Sequence, residues 1–299
     1  MKKKATIGDF IKEFGEEESC RKHLIDLKRK NGFYCKKCGH SIWIKGRTWY
    51  YRKCQKCHYH ESCTSGTLFH KLKFPLESAF LMVYMLSSHR KGISTCELSR
   101  QFGVTQSTAW FFKRKVQQAM KSTEENLLSG VVEVDETVVG GKEKGKQGRS
   151  YGKKKIVQIG IETDTNSKGK SIIKRAYGKV IDGYDNRSLK IGLNAMVDKE
   201  STVLTDKWSA YPAASIEYKH ETEYSNQGAN FELLHWHIFN VKNWIRGTHH
   251  HISNEHAQHY INEFHFRFNR RNFSQSSAVI LLNRMMKTPW LPYRKAKGK

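Results

Sequence analysis

Two groups of residues in this chain have types and spacings that could do chemistry. The first is Cys35-x2-Cys38 and Cys54-x2-Cys57, two CxxC knuckles with fifteen residues between them. Four thiolates so spaced can surround one Zn²⁺ tetrahedrally at about 2.3 Å, each knuckle turning its backbone N–H groups towards sulfur. A redox motif would need one CxxC beside a βαβ unit, whereas here two bracket an aromatic ribbon. Structural Zn²⁺ is therefore the expected ligand of Cys35, Cys38, Cys54 and Cys57, supplying folding energy that so small a core lacks. Nearby His40, His58 and His60 read as surface histidines, and Cys20, Cys63 and Cys96, with no partner spacing, as buried thiols.

The second group is acidic. In Val131-Val-Glu-Val-Asp135-Glu-Thr-Val-Val, carboxylates interrupt a β-branched run that reads as a buried strand ending at Gly140-Gly141. Removing a carboxylate from water is costly unless a cation compensates. Strand alternation puts Glu133 and Asp135 on one face, with Val132 and Val134 on the other. Ser201-Thr-Val-Leu-Thr-Asp206 repeats the device, a short β run that delivers an aspartate at its end. Two aspartates at the ends of adjacent strands can share Mg²⁺ ions, activating a water or a 3′-hydroxyl and stabilising the leaving oxygen. The plainer alternatives are that Asp206 caps the following turn and that Asp135 pairs with a lysine.

The elements that must position these residues follow from periodicity. Helical spacing runs over Ile7–Lys30, stopping at Asn31-Gly32, and Pro75–Ser88 reads as a buried helix. Ser94–Met120 holds two helical stretches separated by Gly103-Val104, the pattern of a helix-turn-helix. Leu98, Phe102 and Val104 would pack between those helices. Thr105, Gln106, Ser107, Lys113 and Arg114 would face a DNA groove and its phosphates. From Ser129 the texture becomes mixed α/β, with strands at Ile156–Glu162, Ser171–Ile181 and Ser201–Thr205, and helices at Asn186–Val197, Leu233–Ile245 and Asn254–Asn269. The Gly- and Lys-rich run Lys142–Lys155 reads as an exposed mobile loop. At 299 residues the expected domains are 1–72, an N-terminal helix and zinc ribbon; 73–128, the helix-turn-helix region; and 129–299, the catalytic α/β domain with its C-terminal helices.

Charge names the partner class. Fifty-three Lys and Arg against 28 Asp and Glu leave +25, a self-repulsion that a polyanion relieves. The basic residues are interleaved with aromatics, which favours nucleic acid over a membrane surface. No signal peptide and no membrane-spanning run is visible, so a cytoplasmic, nucleoid-associated protein is expected.

Taken in order, CxxC…CxxC, the helix-turn-helix, VEVDETVVGGK, TDKWSAY, NVKNWIRGTHHHIS and YINEFHFRFNRR closely resemble the bacterial transposases of insertion-sequence family 1595. The resemblance covers nearly the whole chain. It implies a ribonuclease-H-like mixed sheet and DDE-type cleavage and strand transfer at terminal inverted repeats, dependent on Mg²⁺ or Mn²⁺. The partners it implies are double-stranded DNA at the element ends and the target, held by a homodimer. Asp135 and Asp206 would be the first two metal ligands. A DDE enzyme places its third acidic residue on a late helix, seven positions before a basic one. Here Lys242 is that basic residue and His235 stands seven before it, with Asn240 as the second choice and His237 the third. Neutral imidazole suits Mn²⁺ better than Mg²⁺. Lys242, Trp244 and Arg246 would track the DNA backbone by charge and stacking, and Arg267, Arg270 and Arg271 would contact phosphate, while Phe264, Phe266 and Phe268 are core. Two other readings stay open: a zinc-ribbon and helix-turn-helix regulator without catalysis, and an endonuclease that cuts without joining.

Overall fold

The computed structural model describes residues 6–122, 124–141, 154–249, 252–273 and 276–298. Its chain contacts divide it into two compact units, Met1–Met120 with Asn272–Lys299, and Lys121–Arg271. Of the Lys142–Lys155 run, only positions 154 and 155 fall among the described residues, so the expected loop lies outside them.

The first unit opens with α1 (Ile7–Phe14) and α2 (Glu17–Lys30). Sequence periodicity ran through both helices without a break. A capping box between Thr6 and Asp9 starts α1. It ends at Gly15, where a Cβ would meet the Ile11 carbonyl oxygen at 2.5 Å. Strands β1 (Trp43–Lys45), β2 (Tyr51–Cys54) and β3 (His60–Ser62) form an antiparallel ribbon. Beyond it lie α3 (Leu76–Ser88), α4 (Thr95–Phe102) and α5 (Gln106–Met120). Gly103, with φ +61°, ends α4 in the left-handed region, which glycine enters without a Cβ penalty.

The second unit is a mixed α/β fold. After a 3-10 turn at Glu124–Asn126 come β4 (Val131–Val139), β5 (Lys155–Thr165) and β6 (Ser171–Ile181), each antiparallel to the one before. Helix α6 (Asn186–Met196) then crosses to β7 (Thr202–Thr205), parallel to β4. The short α7 (Tyr211–Ala214) leads to β8 (Lys219–Thr222), parallel to β7 and invisible to periodicity because it is short and mostly exposed. The sheet order is β6-β5-β4-β7-β8, which makes β4 the central strand. After a second 3-10 turn, Asn226–Phe231, the long helices α8 (Glu232–Thr248) and α9 (Asn254–Asn269) cover one face. There Val157, Ile159 and Ile161 pack with Leu234, Ile238, Val241 and Ile261. On the other face Val132, Val134 and Val203 pack with Leu189, Leu193, Met196 and Tyr211. The alternation along β4 is the expected one.

The chain then returns to the first unit. Helix α10 (Ser277–Lys287) packs on α3 and α5, and α11 (Tyr293–Ala296) on α5. Leu68 N donates to Met285 O at 3.2 Å and Trp290 N to Gly66 O at 3.2 Å. Periodicity, which is blind to such long-range pairing, grouped this tail with the catalytic domain. Among the described residues no helix is long and apolar enough to cross a membrane.

A buried ion triad ties α2 to the ribbon. Arg52 reaches Glu61 at 2.6 Å and Lys28 reaches it at 3.1 Å, every side chain under a tenth exposed. The spare donors bond carbonyls: Arg52 those of Lys28 and Gly32, Lys28 those of Ser62 and Ser65. Burial pushes the Lys28 ammonium down to about 8, and Glu61 opposes the shift. Glu61→Gln would leave two buried cations without a counter-charge. We expect it to destabilise the protein by about 3–5 kcal/mol, read as a lowered urea midpoint.

Candidate active site and metal centre

The four knuckle cysteines converge. Their sulfurs all lie within 4.8 Å of one another, with Cys35–Cys57 at 3.5 Å and Cys38–Cys54 at 3.6 Å. A tetrahedron with metal–sulfur bonds of about 2.3 Å has edges of about 3.8 Å, so the group has the dimensions of a tetrathiolate centre. The two knuckles share one local geometry. Gly39 N donates to Cys35 O and His58 N to Cys54 O, with Gly39 (φ +73°) and His58 (φ +60°) both left-handed. The histidines stay out of the group. Cys20 and Cys63 are buried, whereas Cys96 is exposed, contrary to expectation, because it lies on the outer side of α4.

In the second unit, the β4–β7 pairing is Val131↔Thr202, Val132↔Val203 and Glu133↔Leu204. Asp206 follows the last residue of β7, and continuing that register by two residues would bring it level with Asp135. Asp135 Oδ1 accepts from the Glu136 backbone N–H at 2.7 Å, and Oδ2 lies 3.5 Å from His235 Nε2. Asp206 Oδ1 accepts from Trp208 N at 3.1 Å, the turn-capping contact its position suggested. That bond occupies a single oxygen. The Asp135 hydrogen bond raises the His235 pKa above its ordinary value, and burial opposes the rise.

His235 lies on α8 with Ile238, Phe239 and Lys242 at helical spacing. With Asp135, Glu136 and Thr137 they line an open cleft of ≈ 270 Å³, room for several waters or a phosphate group. Burial lowers the Lys242 pKa, helped by Arg246 and opposed by Asp135. Gly228 makes room for the imidazole: a Cβ there would stand 2.2 Å from His235 Nδ1. Asn240 turns away from this cleft, donating to Trp236 O at 2.8 Å. His237 lies in the core, fully buried, bonded to His265 at 3.1 Å, and burial holds its pKa well below the ordinary value.

Two further carboxylates flank Asp135, Glu136, which sequence reading passed over, and Glu133, which it placed only by face. Glu136, on the opposite face of β4 from Asp135, accepts from the Tyr211 hydroxyl and from Gln158 Nε2. Burial pushes its pKa up to about 7, and Asp135 and Asp206 add to the rise. Gln158 fits because residue 192 is glycine, whose Cβ would come within 1.9 Å of the amide oxygen. Glu133 is also raised to about 7, by burial and by Glu223, and its Oε2 has no hydrogen-bond partner among the described residues. Three acids within four residues of a central strand were the available signal.

The expected DNA contacts divide. Thr105, Gln106 and Ser107 are exposed where α5 begins. Lys113 and Arg114 are buried instead: the Lys113 ammonium donates to Ile93 O at 2.8 Å and Arg114 to Gln117 Oε1 at 2.8 Å. Arg246 is exposed. Trp244 is only 8% exposed, packed on Phe264 with the Arg267 guanidinium over its ring, and presents no face for stacking. Arg267 is spent on buried Glu263 at 2.6 Å. Arg270 and Arg271 donate to carbonyls at the end of α9, each over a phenylalanine ring. Phe266 is buried and Phe264 and Phe268 partly so, the core role expected of them.

Residues 127–269 match the family model of the ISXO2-like transposase domain. Over that stretch the chain resembles the ISXO2-like transposases of insertion-sequence family 1595. The match spans the sheet, α8 and α9, and therefore every residue of the cleft. No curated protein matches the chain. The Asp135 and Glu136 carboxylates and the His235 imidazole of the cleft are donors of the kind that can hold a divalent cation.

Two outcomes test these sites. Cys35→Ser should cost the protein its bound zinc, measured by elemental mass spectrometry; zinc retained at the wild-type level would exclude the tetrathiolate. His235 has a raised folded pKa, so its pairing with Asp135 stabilises fully below the unfolded value near 6.5 and fades as pH climbs through the folded value. In metal-free protein, the stability gap between wild type and His235→Gln should narrow with rising pH. A gap constant from pH 5 to 9 would contradict the pairing.

Proposed function

We propose that this transposase binds the terminal inverted repeats of an insertion sequence and carries out metal-dependent DNA cleavage and strand transfer on a ribonuclease-H-like fold. One observation carries the reading: within a transposase-family domain, His235 of α8 lies 3.5 Å from Asp135 on β4, and β7, parallel to β4, ends one residue before Asp206. Three antiparallel strands followed by two parallel ones, with helices on both faces, support the fold assignment.

In this reading Asp135 and Asp206 hold the catalytic Mg²⁺ or Mn²⁺, with His235 as the third ligand and Asn240 outside the set. Bound there, the ion would supply Lewis-acid activation of the attacking oxygen and charge stabilisation at the leaving one. Lys242, seven residues after His235 on the same side of α8, holds a phosphate oxygen by charge. Glu136, clamped by Tyr211 and Gln158, keeps the chain beside Asp135 from shifting. The four cysteines hold structural Zn²⁺. The α4–Gly103–α5 unit acts as the helix-turn-helix, with Thr105, Gln106 and Ser107 at the groove. Arg246, Arg270 and Arg271 contribute positive charge towards double-stranded DNA, at the element ends and at the target, and a homodimer pairs the two ends. The domains are the ribbon (1–72), the helix-turn-helix region (73–128) and the catalytic part from 129 on, with the tail after Arg271 supporting the first unit.

Asp206→Ala should leave end binding intact in a mobility-shift assay and abolish 3′-end nicking. A pre-cut end and a plasmid target then separate joining from simple cutting. Wild-type nicking by Asp206→Ala would refute the assignment, and nicking without joining would reassign the protein as an endonuclease.

A further inference from the structure

The outward side of α8 carries two large, exposed rings that the core does not use. Trp236 is 54% exposed and Phe239 is 61% exposed, while Leu234, Ile238 and Val241 on the inward side are buried. The other rings of the helix, His237 and Trp244, pack on Phe264 and Phe268. Three positions apart, Trp236 and Phe239 share one side of the helix, displaced by about 4.5 Å along its axis. Phe239 also lines the cleft with Asp135, His235 and Lys242. The pair therefore begins at the carboxylates and extends away from them. Asn243 and Arg246 continue the same side, both exposed.

A second copy of this chain is one conceivable cover for exposed rings. The core of a protein–protein interface is depleted in charge, however, and these rings are bordered by Asn243, Lys242 and Arg246 on a chain of net charge +25. Like charge on both copies would oppose the contact. Ring faces interleaved with cations are instead what single-stranded nucleic acid needs, bases stacking on the rings while phosphates follow the positive groups. An intact duplex hides its base faces inside the stack, so only an unpaired base can use such a surface.

Resting on the phosphoryl-transfer reading of the cleft, we propose that Trp236 and Phe239 form a stacking platform for unpaired nucleobases beside the scissile phosphate. The DNA end is then held partly opened as it enters the site.

The test uses the full-length, zinc-loaded protein without added Mg²⁺ or Mn²⁺ and two fluorescent DNA hairpins, one blunt and one with a short oligothymidine 3′ overhang. Wild type should prefer the overhang. Trp236→Ala and Phe239→Ala should each reduce that preference by about fivefold or more, the scale of base–aromatic stacking, with unaltered circular dichroism because both rings are exposed. With 5-iodouracil in the overhang, photo-crosslinks should map to α8. An undiminished preference in the double variant would overturn the platform. So would a loss of self-association in its place, which would assign the rings to a contact between copies. Asp206→Ala should keep the preference. Ring-dependent overhang binding by a wild-type protein that nicks no DNA would overturn the cleft reading and leave the platform, whereas nicking without any ring effect would overturn the platform alone.

Discussion

The second unit depends on carboxylates that its central strand takes partly out of water. β4 is paired on both sides and covered on both faces, and it still carries Glu133, Asp135 and Glu136. Each must be compensated or held neutral, since an uncompensated buried charge costs several kcal/mol. Asp135 has His235 and a backbone N–H. Glu136 has Tyr211 and Gln158. Glu133 keeps an oxygen without a partner, beside Glu223 and His235. The cleft lined by Asp135 and Glu136 leaves this part of the strand open to solvent. The glycines at 228 and 192 follow from the same demand, because His235 and Gln158 reach their partners only where no Cβ intervenes.

The first unit meets a different shortage. Its ribbon strands are three or four residues long and too small to bury a core. The Arg52–Glu61–Lys28 triad anchors the ribbon to α2, and four sulfurs converge where a metal could tie its two knuckles together. Either device fails if one member is removed, since a lone buried ion or an incomplete thiolate set has no alternative partner.

A net charge of +25 points to a polyanion, yet it is a poor map of the contact surface. Lys113, Arg114, Arg267 and Arg271 spend their donors inside the protein, on carbonyls and buried side chains. Long basic side chains can cover apolar surface with their stems, so a basic residue can serve packing as well as charge. Charge counting therefore identifies the kind of partner and leaves the contact residues to be decided by burial.

Local patterns were sufficient for much of this protein. The CxxC spacing already implied a common centre, alternation along Val131–Val139 assigned the faces of β4, and 3.6-residue periodicity located α8 and α9 with His235 and Lys242 on one side. These features depend on neighbours within a few residues, and so they can be read in one dimension. The register of β7 on β4, the parallel addition of β8, the return of α10 to the first unit and the burial of Trp244 and Lys113 depend on segments far apart in the chain. Register and burial come from long-range packing, which no short window encodes. For the same reason Glu136 stood next to Asp135 in the sequence, but only the approach of Tyr211 from seventy-five residues away gave it a partner.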